Sequence, residues 1–356
     1  MSEKITHIAL DIGYGFIKGF NSDNKRILLP TLIGNGFDRN LNTAFGSGQK
    51  DGLDNIHVVY DGDDYFIGNL AKESNRTSRV FEQKRYNHEY FKILLNVAIQ
   101  LLTEGKTSQV NVSTGLPLSF YQSQAKEARE SILGVQPTVE WKSGLLEGQV
   151  IRNNINNAIL FPQGASAIYS ALVNSDGKYT YPNLMNEGTL VGLIDIGFRT
   201  TDFVVVEIQK DGSFVPRLSL SSTLDTLGVH QLHHDVVMEF KNITNGADLN
   251  EYHLSRVLDN GHISFKGERL DFKNFIEEKK HEISSNIADR LKSFWGEESS
   301  MFDEIFLAGG GGMMFKDFLQ PHFDNRIKLV KESQFANAIG YYRYGNAFFD
   351  TTRKQG

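Results

Sequence analysis

The sequence predicts an α/β protein made of two similar halves, and three observations predict it. A hairpin pattern occurs twice, as ITHIALDIGYGFIKGF from Ile5 and as LVGLIDIGFRTTDFVVVEI from Leu190. Each is an apolar run, Asp-Ile-Gly, a short turn and a second apolar run, and the two aspartates, Asp11 and Asp195, stand 184 residues apart in a chain of 356. Strand-like and helix-like patterns alternate through both parts, which is the signature of an α/β architecture. No linker rich in Pro, Gly or Ser separates the parts, so they read as fused around a shared hinge.

The elements follow in order. Residues 5–21 read as a hairpin, β-formers flanking a turn whose Gly13 and Gly15 are suited to positive φ. Residues 31–55, rich in Gly, Asn and Asp, read as a long loop, with short strands at 56–60 and 64–67. Over 86–103, Tyr90, Leu94, Val97 and Leu101 share one helical face. A strand at 109–114, a Gly-Leu-Pro break and a helix from about Ser119 follow, with further strands over 135–160. Pro162, tolerated in a helix's first turn, opens a helix to about Val173. After a polar loop come the second hairpin, a third strand at 214–220, a helix from about Leu227 and a mixed segment to about Arg269. A long helix over 271–295, a strand, glycine loop and helix in EIFLAGGGGMMFKDFL, and a last helix over 334–349 complete the chain.

Composition narrows the classes. The net charge of −6 argues against broad direct binding to nucleic acid or to an anionic membrane. There are no cysteines, which excludes disulfides and a zinc–thiolate site. The opening residues lack the apolar core and cleavage site of a signal peptide. The longest near-apolar run, FKILLNVAIQLL from Phe91, is interrupted by Asn96 and Gln100 and is too short to span a bilayer. A cytoplasmic protein is the expectation.

The chemistry lies at the turns. A carboxylate at a strand end can hold Mg²⁺ or its waters, and glycine lets backbone N–H groups approach phosphate oxygens. Two such turns suit the clamping of a polyphosphate from both sides. Lys18 can neutralise phosphate charge, and Thr200, Thr201 and Asp202 add hydroxyl and acid groups. A third glycine run, Gly309, Gly310, Gly311 and Gly312, follows an apolar strand. It offers bare backbone to a flat ring, and the helix start beyond it favours anions; it is not a Rossmann fingerprint. Gly105-Lys106-Thr107 imitates the end of a P-loop but lacks the earlier glycine, since position 100 is Gln100. His230, His233 and His234 beside Asp235 read as a polar helix face, because no His-Glu-x-x-His accompanies them. No G-x-S-x-G supports a serine hydrolase.

Together these elements resemble the actin, sugar-kinase and heat-shock ATPase superfamily over nearly the whole chain. Residues 11–18 match its first phosphate turn, 195–202 the second and 308–312 the adenosine loop. Phe161-Pro162-Gln163-Gly164-Ala165-Ser166-Ala167 resembles its first connecting helix, and Ala336-Asn337-Ala338-Ile339-Gly340 the second. Within the superfamily, Val112-Ser113-Thr114-Gly115-Leu116-Pro117 resembles the Thr-Gly-Leu-Pro turn of the ParM/StbA-like bacterial actins of plasmid segregation. The first turn, Asp-Ile-Gly-Tyr-Gly, is similar to one found in those proteins and in archaeal relatives.

The resemblance implies an actin-like (ribonuclease H-like) duplicated two-domain α/β fold with a nucleotide cleft between the halves. Residues 1–160 would form the first domain, with an inserted subdomain over about 31–85 and a C-terminal helix, about 341–356, packed back on it. Residues 161–340 would form the second, with a small subdomain over about 227–270. It implies ATP or GTP with Mg²⁺, the metal organised through water by Asp11 and Asp195. Gly13, Tyr14, Gly15, Phe16 and Lys18 would cradle the phosphates from one side, and Gly197, Phe198, Arg199, Thr200, Thr201 and Asp202 from the other. Gly309, Gly310, Gly311 and Gly312 would flank base and ribose. Many ParM-like proteins carry Glu where this chain has Gln163. An amide orients water but cannot take its proton, and general-base help is worth roughly 10²–10⁴-fold, so slow hydrolysis is expected. Asp195 is the other candidate to order the metal's waters or accept that proton. The implied partners are further copies of the chain in a head-to-tail filament and a DNA-binding adaptor protein, with no direct nucleic acid and no membrane. The alternatives are a small-molecule kinase of the same fold and a structural filament with negligible hydrolysis.

Overall fold

Asp11 faces Lys18 and Ile12 faces Ile17 across the first hairpin, formed by antiparallel strands β1 (Thr6–Ile12) and β2 (Phe16–Asn21). The computed structural model describes residues 5–37, 52–74, 76–79, 85–106, 109–134 and 136–355. Their contacts divide the chain into two units, one of residues 1–115, 120–161 and 344–356, the other of 116–119 and 162–343. Among the described residues no helix is long and apolar enough to cross a membrane.

In the first unit the hairpin continues through β3 (Arg26–Pro30), β4 (Ile33–Asn35), β5 (Ile56–Tyr60), β6 (Asp63–Ile67) and β7 (Thr77–Ser78). Strand β4 lies inside the stretch read as a loop; residues 38–51 of that stretch are outside the described residues. Helix α1 (Glu89–Thr103), β8 (Gln109–Leu116), α2 (Leu118–Leu133), β9 (Thr138–Ser143), β10 (Val150–Arg152) and β11 (Asn154–Pro162) follow. One sheet has the order β11-β8-β1-β2-β3, with β8 parallel to β1. A second, β10-β9-β5-β6-β4-β7, joins strands from before α1 to strands from after α2.

The two polar interruptions of the apolar run explain how α1 is held. Asn96 and Gln100 are fully buried. Asn96 donates to Gln136 Oε1 at 2.9 Å and accepts from Asn153 at 2.6 Å. Gln100 accepts from the Trp141 indole at 2.7 Å and donates to the Ile151 carbonyl at 3.2 Å. Buried amides need such partners, and these tie α1 to β9 and β10.

The second unit contains α3 (Ala165–Leu172), β12 (Leu190–Ile196), β13 (Thr201–Ile208), β14 (Phe214–Pro216), β15 (Ser222–Leu224), α4 (Val229–Ile243) and α5 (Glu251–Asn260). A small hairpin of β16 (His262–Phe265) and β17 (Glu268–Asp271) precedes α6 (Lys273–Trp295), β18 (Glu304–Ala308), α7 (Gly309–Leu319), β19 (Ile327–Leu329) and α8 (Ala336–Gln355). The sheet order β14-β13-β12-β18-β19 repeats the first sheet strand for strand, again with an antiparallel hairpin and a parallel neighbour. Strands β12 and β13 are apolar on both faces. Val191, Leu193, Val204 and Val206 pack with α3 and the start of α8, while Ile194, Ile196, Phe203 and Val205 pack with α4, α6 and α7. Period-two alternation puts Asp195 and Asp202 on the α3 side.

Four details depart from the sequence expectation. Pro162 ends β11 and does not open a helix; Gln163 N–H donates to the Leu116 carbonyl at 2.7 Å, and Gly164, at φ +78°, turns the chain into α3. The strand expected over 214–220 stops at Pro216, and a 3₁₀ turn covers Leu218–Leu220. The four glycines form the first turn of α7, with no loop between strand and helix. Neither Gly13 nor Gly15 is at positive φ; at Gly13 the glycine gives room instead, since an added Cβ would lie 3.0 Å from the Phe16 carbonyl oxygen and 3.2 Å from Lys18 Nζ.

Candidate functional site

The first turn is built by its own backbone. Gly13 N–H donates to the Phe16 carbonyl at 3.0 Å, closing it. Its outer carbonyls are tied down: Thr31 Oγ1 donates to Gly13 O at 2.8 Å, Thr31 N–H to Gly15 O at 2.9 Å, and Arg79 to Gly15 O at 3.3 Å. A trans peptide points its N–H opposite to its C=O, so carbonyls held on one side aim the amides of Tyr14 and Phe16 to the other. Asp11, 4% exposed, forms an ion pair with Lys18 at 2.9 Å. Tyr14 is buried and Phe16 is exposed.

The second turn repeats this closure, Gly197 N–H donating to the Thr200 carbonyl at 2.9 Å. Here a helix start ties the carbonyls: Val229 N–H reaches Gly197 O at 3.2 Å and His230 N–H reaches Phe198 O at 2.6 Å. That approach is possible because residue 228 is glycine; a Cβ there would sit 2.8–2.9 Å from the backbone of 197–199. The Phe198 ring meets the edges of His230 and His233, with centroids 5.6 and 5.0 Å apart, so these histidines pack against the turn. Among the described residues no three His, Asp or Glu side chains are grouped to hold a metal.

Asp195 and Asp202 face each other across the hairpin, and both are buried. Asp195 Oδ2 accepts from Asn337 Nδ2 at 2.5 Å, and Asp202 Oδ1 accepts from Thr223 Oγ1 at 2.5 Å. Thr201 is fully buried and donates its hydroxyl to the Leu227 carbonyl at 2.7 Å. Thr200 is buried too, and Arg199 Nε lies 3.4 Å from Asp225 Oδ1. Gln163 is buried, with its peptide joined through Gly164 N–H to Asn337 Oδ1 at 3.1 Å.

The four glycines are not equivalent. Gly309 is at φ +85°, and a Cβ there would collide with the Ile196 carbonyl and lie 2.5 Å from Asp195 Oδ1. Gly311 is packed against Ile196, and Gly312 against Leu307. At Gly310 an added Cβ would meet only Gln334, at 3.7 Å, so this is the position that leaves room beside the backbone.

Sequence reasoning missed one feature. A cavity of about 510 Å³ is lined by residues 223–227 together with Asn286 and Arg290 of α6. Thr226 there is at φ +67°, an outlier for a β-branched residue. The available signals are the Thr-Leu-Asp-Thr run directly after the hairpin and a polar pair four residues apart on α6.

The donor set fits Mg²⁺ carried in with phosphate. Mg²⁺ prefers hard oxygen ligands, keeps several waters and takes one or two carboxylates; buried aspartates at the turns suit that better than a complete protein cage.

The chain matches known proteins over most of its length. The family model "Actin like proteins N terminal domain" matches residues 9–165, and "Archaeal actin homologue MreB-like, C-terminal" matches 193–321. The structure superposes on that of a 15-stranded ParM filament from Clostridium botulinum with a TM-score of 0.85 and 34% identity, over 97% of this chain and 99% of that one. An archaeal actin homologue of Thermoplasma volcanium is 23% identical over 352 residues, 94% of this chain and 97% of its own length. An archaeal actin homologue in complex with ADP shares the fold, with a TM-score of 0.74 and 21% identity over 96% of this chain and all of that one. The fold is that of an actin-like protein. The chain belongs to the actin-like superfamily and is ParM-like.

Proposed function

We propose that the chain is a nucleoside triphosphatase that assembles into filaments when loaded with Mg-ATP or Mg-GTP and disassembles after hydrolysis. The observation that carries this is the pair of identical turn closures, each with a buried aspartate at the strand end and carbonyls tied back so that amides face the other way. Such turns suit phosphate oxygens. Asp11 and Asp195 are the residues that would hold the waters of Mg²⁺, and the ion would supply neutralisation of phosphate charge. Lys18 adds positive charge, and Gln163 orients the attacking water without taking its proton, so turnover is slow. Catalysis of this kind rests on positioning and charge neutralisation. The glycine run Gly309–Gly312 flanks base and ribose, with Gly310 leaving the most room beside the backbone. The likeness to a solved ParM filament at 34% identity supports assembly, and the ADP-bound archaeal homologue supports nucleotide binding. The role of that assembly is DNA segregation through an adaptor protein, in keeping with a net charge of −6. The filament works in the cytoplasm.

A head-to-tail contact that does not close on itself gives an open filament. Light scattering of the purified chain therefore rises on addition of Mg-ATP or Mg-GTP above a critical concentration and decays as nucleotide is consumed, more slowly with a non-hydrolysable analogue. Electron microscopy checks the product. Exposed charges are screened over about 10 Å at 0.1 M salt, so the critical concentration shifts with salt. A small, fixed oligomer in every nucleotide state, with turnover only when an acceptor is added, would favour a kinase and end this reading.

A further inference from the structure

We infer that Asn337 is a positioning residue that holds Asp195 and the backbone of Gln163 in one frame. The inference rests on the roles proposed for those two residues. Asn337 lies in the first turn of α8, 6% exposed, and both ends of its side-chain amide are used. Nδ2 donates to Asp195 Oδ2 at 2.5 Å, and Oδ1 accepts from Gly164 N–H at 3.1 Å. These partners are 142 and 173 residues away in sequence. A carboxylate only accepts and a backbone N–H only donates, so the two bonds together assign the amide's orientation.

Each partner is itself immobilised. An added Cβ on Gly164 would lie 2.6 Å from Val204 Cγ2, which seats that peptide against β13. Gln163 N–H is bound to Leu116 O at 2.7 Å, so the backbone is pinned on both sides of Gln163. Gly340, one turn along α8, lies so close to the Ser166 carbonyl that a Cβ would collide with it, which fixes the height of α8 against α3. Asp195 is set in β12, with Ala308 beside it in β18. One side chain thus joins the carboxylate proposed for the metal's waters to the residue proposed for the attacking water. Its contribution falls on the reaction more than on nucleotide affinity, because it touches the groups that set geometry and not the phosphates.

The test uses the full chain with two readouts, Mg-ATP affinity from a fluorescent-nucleotide titration and the single-turnover hydrolysis rate. Asn337→Ala slows hydrolysis about ten- to a hundredfold, the scale of a small misplacement of reacting groups, while affinity stays within about threefold. Asn337→Asp keeps the shape and the acceptor for Gly164 but has no N–H for Asp195, and it does not restore the rate. Hydrogen exchange at the Gly164 amide is faster in Asn337→Ala than in the wild type and remains slow in Asn337→Asp, which shows that the aspartate variant is folded at this point. An unchanged rate in Asn337→Ala, or full rescue by Asn337→Asp, overturns the inference while leaving the functional reading intact. A wild-type chain that neither binds nor hydrolyses Mg-nucleotide overturns that reading and this role with it.

Discussion

The two Asp-Ile-Gly turns share a backbone and differ in what surrounds it. Both close with the same hydrogen bond, from Gly13 to Phe16 and from Gly197 to Thr200. The residue facing the aspartate is a lysine in the first and an aspartate in the second. Asp11 pairs with the Lys18 ammonium, Asp195 accepts from the Asn337 amide, and Asp202 accepts from the Thr223 hydroxyl. Thr31, through both its hydroxyl and its backbone N–H, and the Arg79 side chain tie back the first turn; the start of α4 ties back the second. One hairpin geometry therefore carries two electrostatic characters. The backbone is the same in both hairpins while the charges differ, because side chains at cross-strand positions can change without altering the ladder.

The largest test of this comparison removes each aspartate in turn. Asp11→Ala and Asp195→Ala should each reduce Mg-dependent nucleotide turnover more than about 100-fold, the scale of losing a key electrostatic group. Their stabilities should differ. Asp11→Ala strips a mostly buried lysine of its ion-pair partner, which costs about 3 kcal/mol. Asp195→Ala removes a neutral donor's acceptor and costs about 1–2 kcal/mol. Adding Lys18→Met to Asp11→Ala should recover stability in urea unfolding and leave turnover lost. Equal stability losses in the two single mutants would show that the charge difference between the turns has no energetic weight.

A second test uses the glycine run beside Asp195. Gly309→Ala forces a Cβ against the backbone of the second turn at positive φ and should cost about 3 kcal/mol or more. Gly310→Ala has space and lies in a helix, where alanine is favoured by about 0.5–1 kcal/mol, so it should raise the melting temperature. If Gly310 borders the nucleoside, the same variant binds nucleotide more weakly despite being more stable.

The smallest effects compare the supports. Gly228→Ala pushes the start of α4 from the second turn and should cost about 1–3 kcal/mol. Thr31→Val removes one hydroxyl bond to Gly13 and should cost about 1 kcal/mol. Amide exchange within each turn would rise in its own mutant and not in the other.

Both hairpins, the long helices α1 and α6 and the β18–α7 segment were legible because each is a local pattern: alternation for strands, a 3.6-residue face for helices, an acid and a glycine at a bend. The sequence also carried the matched pair of aspartates and, through Asn96 and Gln100, the sign that α1 is no membrane span. What it did not carry is the choice of partners. That β9 and β10 complete the sheet begun by β4 to β7, that Asn337 reaches Asp195, and that residues 223–227 enclose a cavity with α6 all depend on contacts between residues far apart in the chain. The glycines show the reason most clearly. Four in a row read as a loop, because glycine's weak helical preference leaves the backbone open. The close approach of α7 to Ile196 and Asp195 decides for the helix, since only a residue without a Cβ lets the two backbones meet there.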